Sequence, residues 1–334
     1  MPLSIIIVNF RSSSFICNCI SSAFQFPSAL NFEWIIVDNQ SNDNSKEQII
    51  SKFPFVKWIE MNYNAGFARA NNEGIRQSKG EVVLLLNPDT IILNDAINQC
   101  YERFIRSSYV ACGVQLLNAD KTPQITGNFF MKGSLNHLLP LPYLGALSRR
   151  IALSLKVSKT NVAKASMEEK VDWINGAFLM VKKLAIEKAG MLDEDFFLYS
   201  EEIEWCSRLK KTGELCVYGD LETIHLQGET VNNAMNTSGK GYFNLCDKKG
   251  LQLMVSNHVR IRKQFGIGWF LFHLLMHTIE IPIFSFCSII DNLIHKKNPF
   301  ANLPMVEGFT NNVMKLWALS PKIISNKPYF YKML

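Results

Sequence analysis

The run Leu84-Leu-Leu-Asn-Pro-Asp-Thr90 stops abruptly in two oxygen-bearing side chains, Asn87 and Asp89, on either side of a turn-forming proline. A buried strand that ends this way delivers a carboxylate to the carboxyl edge of a sheet, where open α/β sheets bind ligands. An aspartate held there is placed to grip a hard cation through oxygen. Asn-Pro-Asp is also ordinary turn chemistry, so the segment alone supports either reading.

Three other clusters would sit at the same edge. Val37-Asp38-Asn39-Gln-Ser41-Asn-Asp43-Asn-Ser45 follows a second apolar run. Asp38 there could accept from a base N–H or a ribose hydroxyl, or simply cap a turn. In Asn64-Ala-Gly-Phe-Ala-Arg-Ala-Asn-Asn-Glu-Gly74, Gly66 permits a tight turn into a helix whose N-terminus favours phosphate, with Arg69 adding positive charge. The third cluster, Gly190–Arg208, joins Phe196, Phe197 and Tyr199 to Glu201, Glu202 and Glu204. Carboxylates beside aromatic rings have raised pKa values and suit a general base, although acids in a first helical turn also serve as caps. His225, after a further strand, could ligate a metal or touch phosphate. Neither Gly-x-Gly-x-x-Gly nor Gly-x-x-x-x-Gly-Lys occurs, so the dinucleotide and P-loop fingerprints are absent.

The elements that must position these residues alternate at short intervals. Leu3–Phe10, Trp34–Val37, Val56–Met61 and Val82–Leu86 read as strands. Between them, 14–26, 43–53 and 67–77 read as amphipathic helices, the second N-capped by Asn42 or Asp43. Such alternation implies a mostly parallel sheet with right-handed crossovers. A helix at 95–105 and a strand at 109–117 extend it. Beyond, 118–170 is less regular: Pro140-Leu-Pro-Tyr-Leu-Gly145 breaks any element, and 156–170 reads as a mobile loop over a site. Order returns at 171–182, followed by a helix at 200–211 and a strand at 215–219.

At 334 residues, 48% apolar and 19% charged, the chain is globular in composition. Its net charge of +6 lies wholly after residue 250, where nine Lys/Arg face three acids. Localised positive charge beside apolar sequence suggests an anionic membrane surface rather than nucleic acid. The eight cysteines show no metal-ligand spacing and fit a reducing cytosol, and no signal peptide is expected before Ile5-Ile-Ile-Val8. Residues 265–294 carry only Glu280 and Asp291 as formal charges. A spanning helix needs about 20 apolar residues, and the fifteen of 265–279 are interrupted by His273 and His277. Helices lying in the membrane interface, anchored by Trp269 and basic flanks, are the preferred reading; packing against the protein and spanning are the alternatives.

Taken together, Ser4-Ile-Ile-Ile-Val-Asn9, Val37-Asp-Asn39, Asn64-Ala-Gly-Phe67, Leu86-Asn-Pro-Asp89, Trp173-Ile-Asn-Gly-Ala177, Phe196-Phe-Leu-Tyr199 and His225 resemble the inverting family-2 glycosyltransferases, especially the rhamnosyltransferase-like enzymes of bacterial surface polysaccharide synthesis. The resemblance runs from Leu3 to about Gly266. It implies an α/β, Rossmann-like GT-A fold with a mostly parallel sheet flanked by helices and a C-terminal helical, apolar and basic appendage. The expected division is a glycosyltransferase domain at 1–240, with a nucleotide-binding half to about 117 and an acceptor half at 118–240, followed by a membrane-associating region at 241–334.

By the same resemblance, Asn9, Asp38, Asn64, Gly66, Arg69 and Asn87 would hold a dTDP- or UDP-linked sugar. Asp89, with His225, would bind Mg²⁺ or Mn²⁺. Trp173, Gly176, Tyr199 and Glu201 would border a glycan or lipid-linked acceptor, and Glu202 would be the base. The family usually carries Glu-Asp where this chain has Glu201-Glu202, and the extra methylene moves the carboxylate by about 1 Å. A peripheral enzyme at the inner face of the cytoplasmic membrane is expected. An inactive donor-binding subunit is the second reading. A sugar nucleotidyltransferase is a third, but it would need a Gly- and Lys/Arg-rich loop that Asn9-Phe-Arg-Ser-Ser-Ser14 does not supply.

Overall fold

A computed structural model describes residues 2–226 and 244–334, in two compact units. Of the described residues, 2–129, 160–194 and 201–226 form the first unit, and 130–159, 195–200 and 244–334 the second. The expected boundary at 240 and the Gln227-Gly228 end of the histidine segment lie outside the described residues.

The first unit is an α/β layer structure. Its sheet begins with β1 (Leu3–Asn9), β2 (Glu33–Asp38), β3 (Lys57–Glu60) and β4 (Val82–Leu86) in the order β3-β2-β1-β4, all parallel. Runs such as Leu3-Ser-Ile-Ile-Ile-Val-Asn9, buried on both faces, are what a central parallel strand requires. The crossovers are α1 (Ser13–Ala23), α2 (Ser45–Lys52) and α3 (Gly66–Gln77), as the alternation implies. The cap of α2 differs from expectation: Asn44 is the capping residue, while Asp43 Oδ1 accepts the Ser45 N–H at 2.9 Å.

Beyond β4 the sheet becomes mixed. β5 (Thr90–Ile92), unforeseen in the sequence, follows the Asn-Pro-Asp turn directly; α4 (Ala96–Ile105) and β6 (Ala111–Leu117) match expectation closely. The ordered stretch expected at 171–182 is three strand pieces: the end of β9 (Glu169–Val171), β10 (Trp173–Ile174) and β11 (Phe178–Lys182). Asn175-Gly176 interrupts it, with Asn175 Oδ1 accepting the Ala177 N–H at 2.9 Å in a local side-chain turn. The expected loop at 156–170 contains β8 (Asn161–Val162), which pairs with β7 (Gly127–Asn128), and most of β9. Its polar side chains hide a strand whose partner is distant in sequence: β9 pairs with β12 (Leu215–His225). β12 runs past Gly219 to His225 because its register against β6 shifts between Tyr218 and Glu222, a bulge that lets the ladder resume. Helices α6 (Lys183–Ala189) and α7 (Glu201–Leu209) complete the unit.

The second unit is helical. α5 (Leu144–Ser154) starts inside the Pro140–Gly145 segment expected to break any element. What permits it is remote: Glu280 Oε1 and Oε2 accept the N–H groups of Tyr143 and Leu144 at 2.7 and 2.9 Å, satisfying donors a helix start leaves open. Glu280 lies in α9 (Ile267–Ile294), which packs with α8 (Lys248–Phe265) and α10 (Leu303–Ser325). α9 is one helix of 28 residues passing through Pro282, long and apolar enough to cross a membrane. Its polarity is inverted. Facing the unit's interior are His273, His277, Glu280, Ser288 and Asn292; facing out are Leu275, Ile279, Phe286, Ile290 and Leu293. The aromatic loop is tied to the chain's C-terminal end, since Asp195 O accepts the Tyr331 N–H, Oδ1 the Tyr329 N–H, and Oδ2 a bond from Lys263 Nζ at 2.6 Å.

His137, His258, His273 and His277 line one cavity of this unit, with Arg260 close by. The ring N–H groups of His258, His273 and His277 donate to Met254 O, Gly133 O and His273 O. Burial is the main cause that pushes His273 and His277 down to about 4. A depressed histidine leaves the native state unprotonated while the unfolded chain takes up protons near 6.5. Stability is therefore full above pH 6.5 and falls as pH drops toward 4, on the order of 3 kcal/mol for each ring. Denaturant unfolding followed from pH 7.5 to 4 should show this loss in the helical unit, and a flat profile would contradict it.

Candidate active site

The carboxyl ends of β1, β2 and β4 carry the first residues of the site. Asn9 and Asp38 are register partners at the ends of β1 and β2. Asn9 Nδ2 donates to Asp38 Oδ1 at 2.7 Å and to Ser41 Oγ at 2.9 Å, while Asn9 Oδ1 accepts from Ser12 N and Oγ. Asp38 also accepts from Ser41 Oγ at 2.5 Å and Ser41 N at 3.1 Å. Asp38 is thus fixed at the edge and half-buried.

Asn39, next in the chain and absent from the sequence-based set, connects this edge to the next turn. Its Oδ1 accepts the Ala65 N–H at 2.7 Å and its Nδ2 donates to Asn64 Oδ1 at 3.0 Å. Asn64 Oδ1 in turn accepts the Gly66 N–H. Gly66 opens α3 at φ +72°, a conformation favouring glycine. Arg69, one turn into α3, donates from Nε to Glu194 O at 3.0 Å and from Nη1 to the Tyr63 hydroxyl at 3.3 Å, so it braces the segment before the aromatic loop.

The third group forms around β5. Its antiparallel pairing with β12 sets His225 opposite Thr90, beside Asp89. His225 Nε2 lies 3.5 Å from Asp89 Oδ1 and 3.2 Å from Asn87 Nδ2. The other ring nitrogen, Nδ1, is 3.1 Å from Gln124 Oε1, and Gln124 Nε2 donates to His225 O at 2.6 Å. Gln124 Oε1 can only accept, so Nδ1 carries the proton and the Nε2 lone pair faces Asn87 and Asp89. Burial lowers the His225 pKa, partly opposed by Asp89, which keeps the ring neutral. Gln124 is the most important residue sequence reasoning missed; nothing at position 124 announces a partner 101 residues away.

The fourth group is the carboxylate helix. Asn87 N donates to Ala177 O at 3.0 Å, joining the Asn-Pro-Asp turn to the turn at Asn175-Gly176. A methyl group placed at Gly176 would stand 3.5 Å from Glu202 Cβ and 3.6 Å from Cγ, so the stem of Glu202 lies against this glycine. Trp173 precedes it on β10, half-buried.

The three acids have separate environments. Glu204 pairs with Arg208 at 2.7 Å. Glu201 is 4% exposed with Oε2 unpartnered, and burial, reinforced by Glu202, pushes its pKa well up. Glu202 alone is half-exposed. Immediately upstream, in the second unit, Tyr199 and Ser200 adopt φ of +72° and +68°, uncommon for side-chain-bearing residues.

Among the described residues no group of three or more His, Cys, Asp or Glu could hold a metal by itself. Asp89 and His225 nevertheless suit a hard divalent cation that takes its remaining ligands from phosphate and water. A neutral imidazole fixed by its distal N–H, with its lone pair beside a buried carboxylate, is the usual form of a histidine ligand.

Burial that raises the Glu201 pKa disfavours its ionised form in the native state, whereas the unfolded chain ionises it above 4.5. The stability it contributes is complete below that pH and is lost as pH rises through the native value. Glu201→Gln should fold normally and flatten this alkaline-side loss; an unchanged pH profile in thermal unfolding would show that Glu201 is ionised in place.

Known proteins resemble this chain in sequence and in fold. Residues 4–153 match the family model for glycosyl transferase family 2. The low-salt glycan biosynthesis hexosyltransferase Agl10 of Haloferax volcanii is 31% identical over 215 residues, 63% of this chain and 62% of that protein. The dTDP-rhamnosyl transferase RfbF of Shigella flexneri is 26% identical over 67% of this chain and 71% of its own length. A mannosyltransferase from Pyrobaculum calidifontis, solved with GDP-Man and Mn²⁺, superposes with a TM-score of 0.53 at 12% identity, over 97% of this chain and 87% of that one. Residues 4–153 of this chain are therefore a glycosyl transferase family 2 domain, set in a GT-A fold.

Proposed function

We propose that the protein is an inverting glycosyltransferase that moves rhamnose or another hexose from a nucleoside diphosphate to a hydroxyl of a glycan or lipid-linked glycan in surface polysaccharide synthesis. The observation that carries this reading is the junction of Asn87 N with Ala177 O. It joins the Asp89–His225 pair to the glycine turn against which Glu202 lies. A cation-binding pair and a half-exposed carboxylate on joined turns are what displacement of a diphosphate by an alcohol needs.

Asn9, Asp38, Asn64, Gly66, Asn87 and the bridging Asn39 form the donor nucleotide site, with Arg69 holding its rim through Glu194. Trp173, Gly176 and Glu201 border the acceptor. Asp89 and His225 would hold Mg²⁺ or Mn²⁺, whose charge offsets that of the departing diphosphate. The Mn²⁺ in the Pyrobaculum mannosyltransferase structure supports a divalent ion.

Glu202 takes the acceptor's proton as its oxygen bonds to the anomeric carbon. The bond from that carbon to the diphosphate oxygen breaks, and the nucleoside diphosphate leaves from the opposite face. Burial raises the Glu201 pKa and favours its protonated form, while its half-exposed neighbour Glu202 is the one available to take a proton. The bare Gly176 beside Glu202 leaves space for a side chain one methylene longer than the usual aspartate.

The apolar outer face of α9 supports peripheral attachment at the inner face of the cytoplasmic membrane, the 241–334 region serving as anchor and 1–240 as the transferase. The relative named dTDP-rhamnosyl transferase favours a dTDP-linked donor, and a UDP-linked hexose is the alternative.

Glu202→Gln should lower transfer by at least about 100-fold while donor binding stays within about two-fold, as expected when only a general base is removed. Lost donor binding would make Glu202 structural. In a thermal-shift panel of dTDP-rhamnose, UDP-glucose, UDP-galactose and GDP-mannose, one donor should stabilise the protein in a Mn²⁺-dependent way, and Asp89→Ala should abolish that dependence. A metal-dependent shift surviving in Asp89→Ala would refute the assignment.

A further inference from the structure

We propose that α5 is a second docking row for an anionic bilayer, acting together with the outward face of α9. This inference rests on the membrane reading above and extends it to a segment more than 100 residues earlier in the chain. Leu147, Ile151 and Leu155 follow one another at four-residue steps, which places them in a single row along the helix, and they are 53%, 51% and 71% exposed. Leu153 and Val157 add further exposed apolar surface.

Large apolar side chains in a short exposed helix require something to cover them. Charge indicates what that is. Residues 130–159 hold five Lys/Arg (Lys132, Arg149, Arg150, Lys156 and Lys159) and no Asp or Glu. Arg149 and Arg150 are exposed and form no ion pair among the described residues. Over the whole second unit, the described residues include sixteen Lys/Arg against five acids. Apolar rows within this excess of cations complement a surface with an apolar interior and anionic headgroups.

The same structure joins α5 to α9. Glu280 of α9 caps the start of α5, and the rings of Tyr143 and Phe284 stand 6.0 Å apart beside it. α10 is joined on as well, through Trp317 Nε1 donating to Thr278 Oγ1 at 2.9 Å. α9 carries its acid, histidines and amides inward and its Leu, Ile and Phe outward, the reverse of a water-facing helix. Glu280 therefore serves as an internal strut that fixes the two apolar rows to each other.

The test is co-sedimentation of the full chain with vesicles of phosphatidylcholine, or of phosphatidylcholine containing one-third phosphatidylglycerol. The wild type should bind the anionic vesicles at least ten-fold more tightly, with binding weakened by high salt. Leu147→Ser/Ile151→Ser/Leu155→Ser and Arg149→Glu/Arg150→Glu should each lose at least ten-fold, with unchanged thermal unfolding and unchanged nucleotide-sugar binding. Wild-type vesicle binding by both α5 variants, together with loss in Leu275→Ser/Phe286→Ser, would overturn the role of α5 and leave the α9 anchor standing. Failure of the wild type to bind either vesicle would overturn both.

Discussion

The site depends on a three-residue strand. Thr90–Ile92 pairs antiparallel with the end of β12, and that register sets His225 opposite Thr90, 3.5 Å from the Asp89 carboxylate. A slip by one residue would turn the imidazole to the other face of the sheet. Everything that fixes the register therefore fixes the Asp89–His225 pair: the bulge between Tyr218 and Glu222, the Gln124 clamp on both the ring and the backbone of His225, and the Leu226 N–H bond to Asp89 O. These are buried polar contacts, and each would be costly to leave unmade.

From that pair the architecture divides the chemistry among neighbouring turns. The end of β2 supplies a constrained aspartate, the start of α3 supplies backbone amides, and the glycine turn supplies a smooth surface for the Glu202 stem. Each group is held by hydrogen bonds to the next: Asn9 to Asp38, Asn39 to Asn64, and Asn87 to Ala177. Polar networks of this kind rigidify a site only when every member is satisfied. Glu201 Oε2, buried without a hydrogen-bond partner, is the exception, and its burial beside Glu202 raises the Glu201 pKa.

Much of this was legible in the sequence because it is local. The parallel leaf β3-β2-β1-β4 follows from apolar runs separated by amphipathic helices, and the GT-A class follows from motifs that each lie within a few residues. What was hidden is non-local. β9 and β5 are strands only because β12 pairs with them. α5 begins in a proline-rich segment only because a glutamate 136 residues away caps Leu144. Gln124 gives no sign of its histidine partner. For the same reason the acid and histidines of 273–280, which in the sequence argue against a membrane helix, are in the structure the buried face of a helix whose apolar face points outward. Hydropathy reports the composition of a helix; which face is covered depends on its neighbours.

The most direct test of the account is pulsed electron paramagnetic resonance of Mn²⁺ bound to the protein with a nucleoside diphosphate. Coordination by Asp89 and His225 predicts a ¹⁴N coupling from an imidazole that disappears in His225→Ala while phosphorus coupling from the nucleotide remains. Bound Mn²⁺ with phosphorus coupling but no ¹⁴N coupling in the wild type would contradict the pairing on which the site is built.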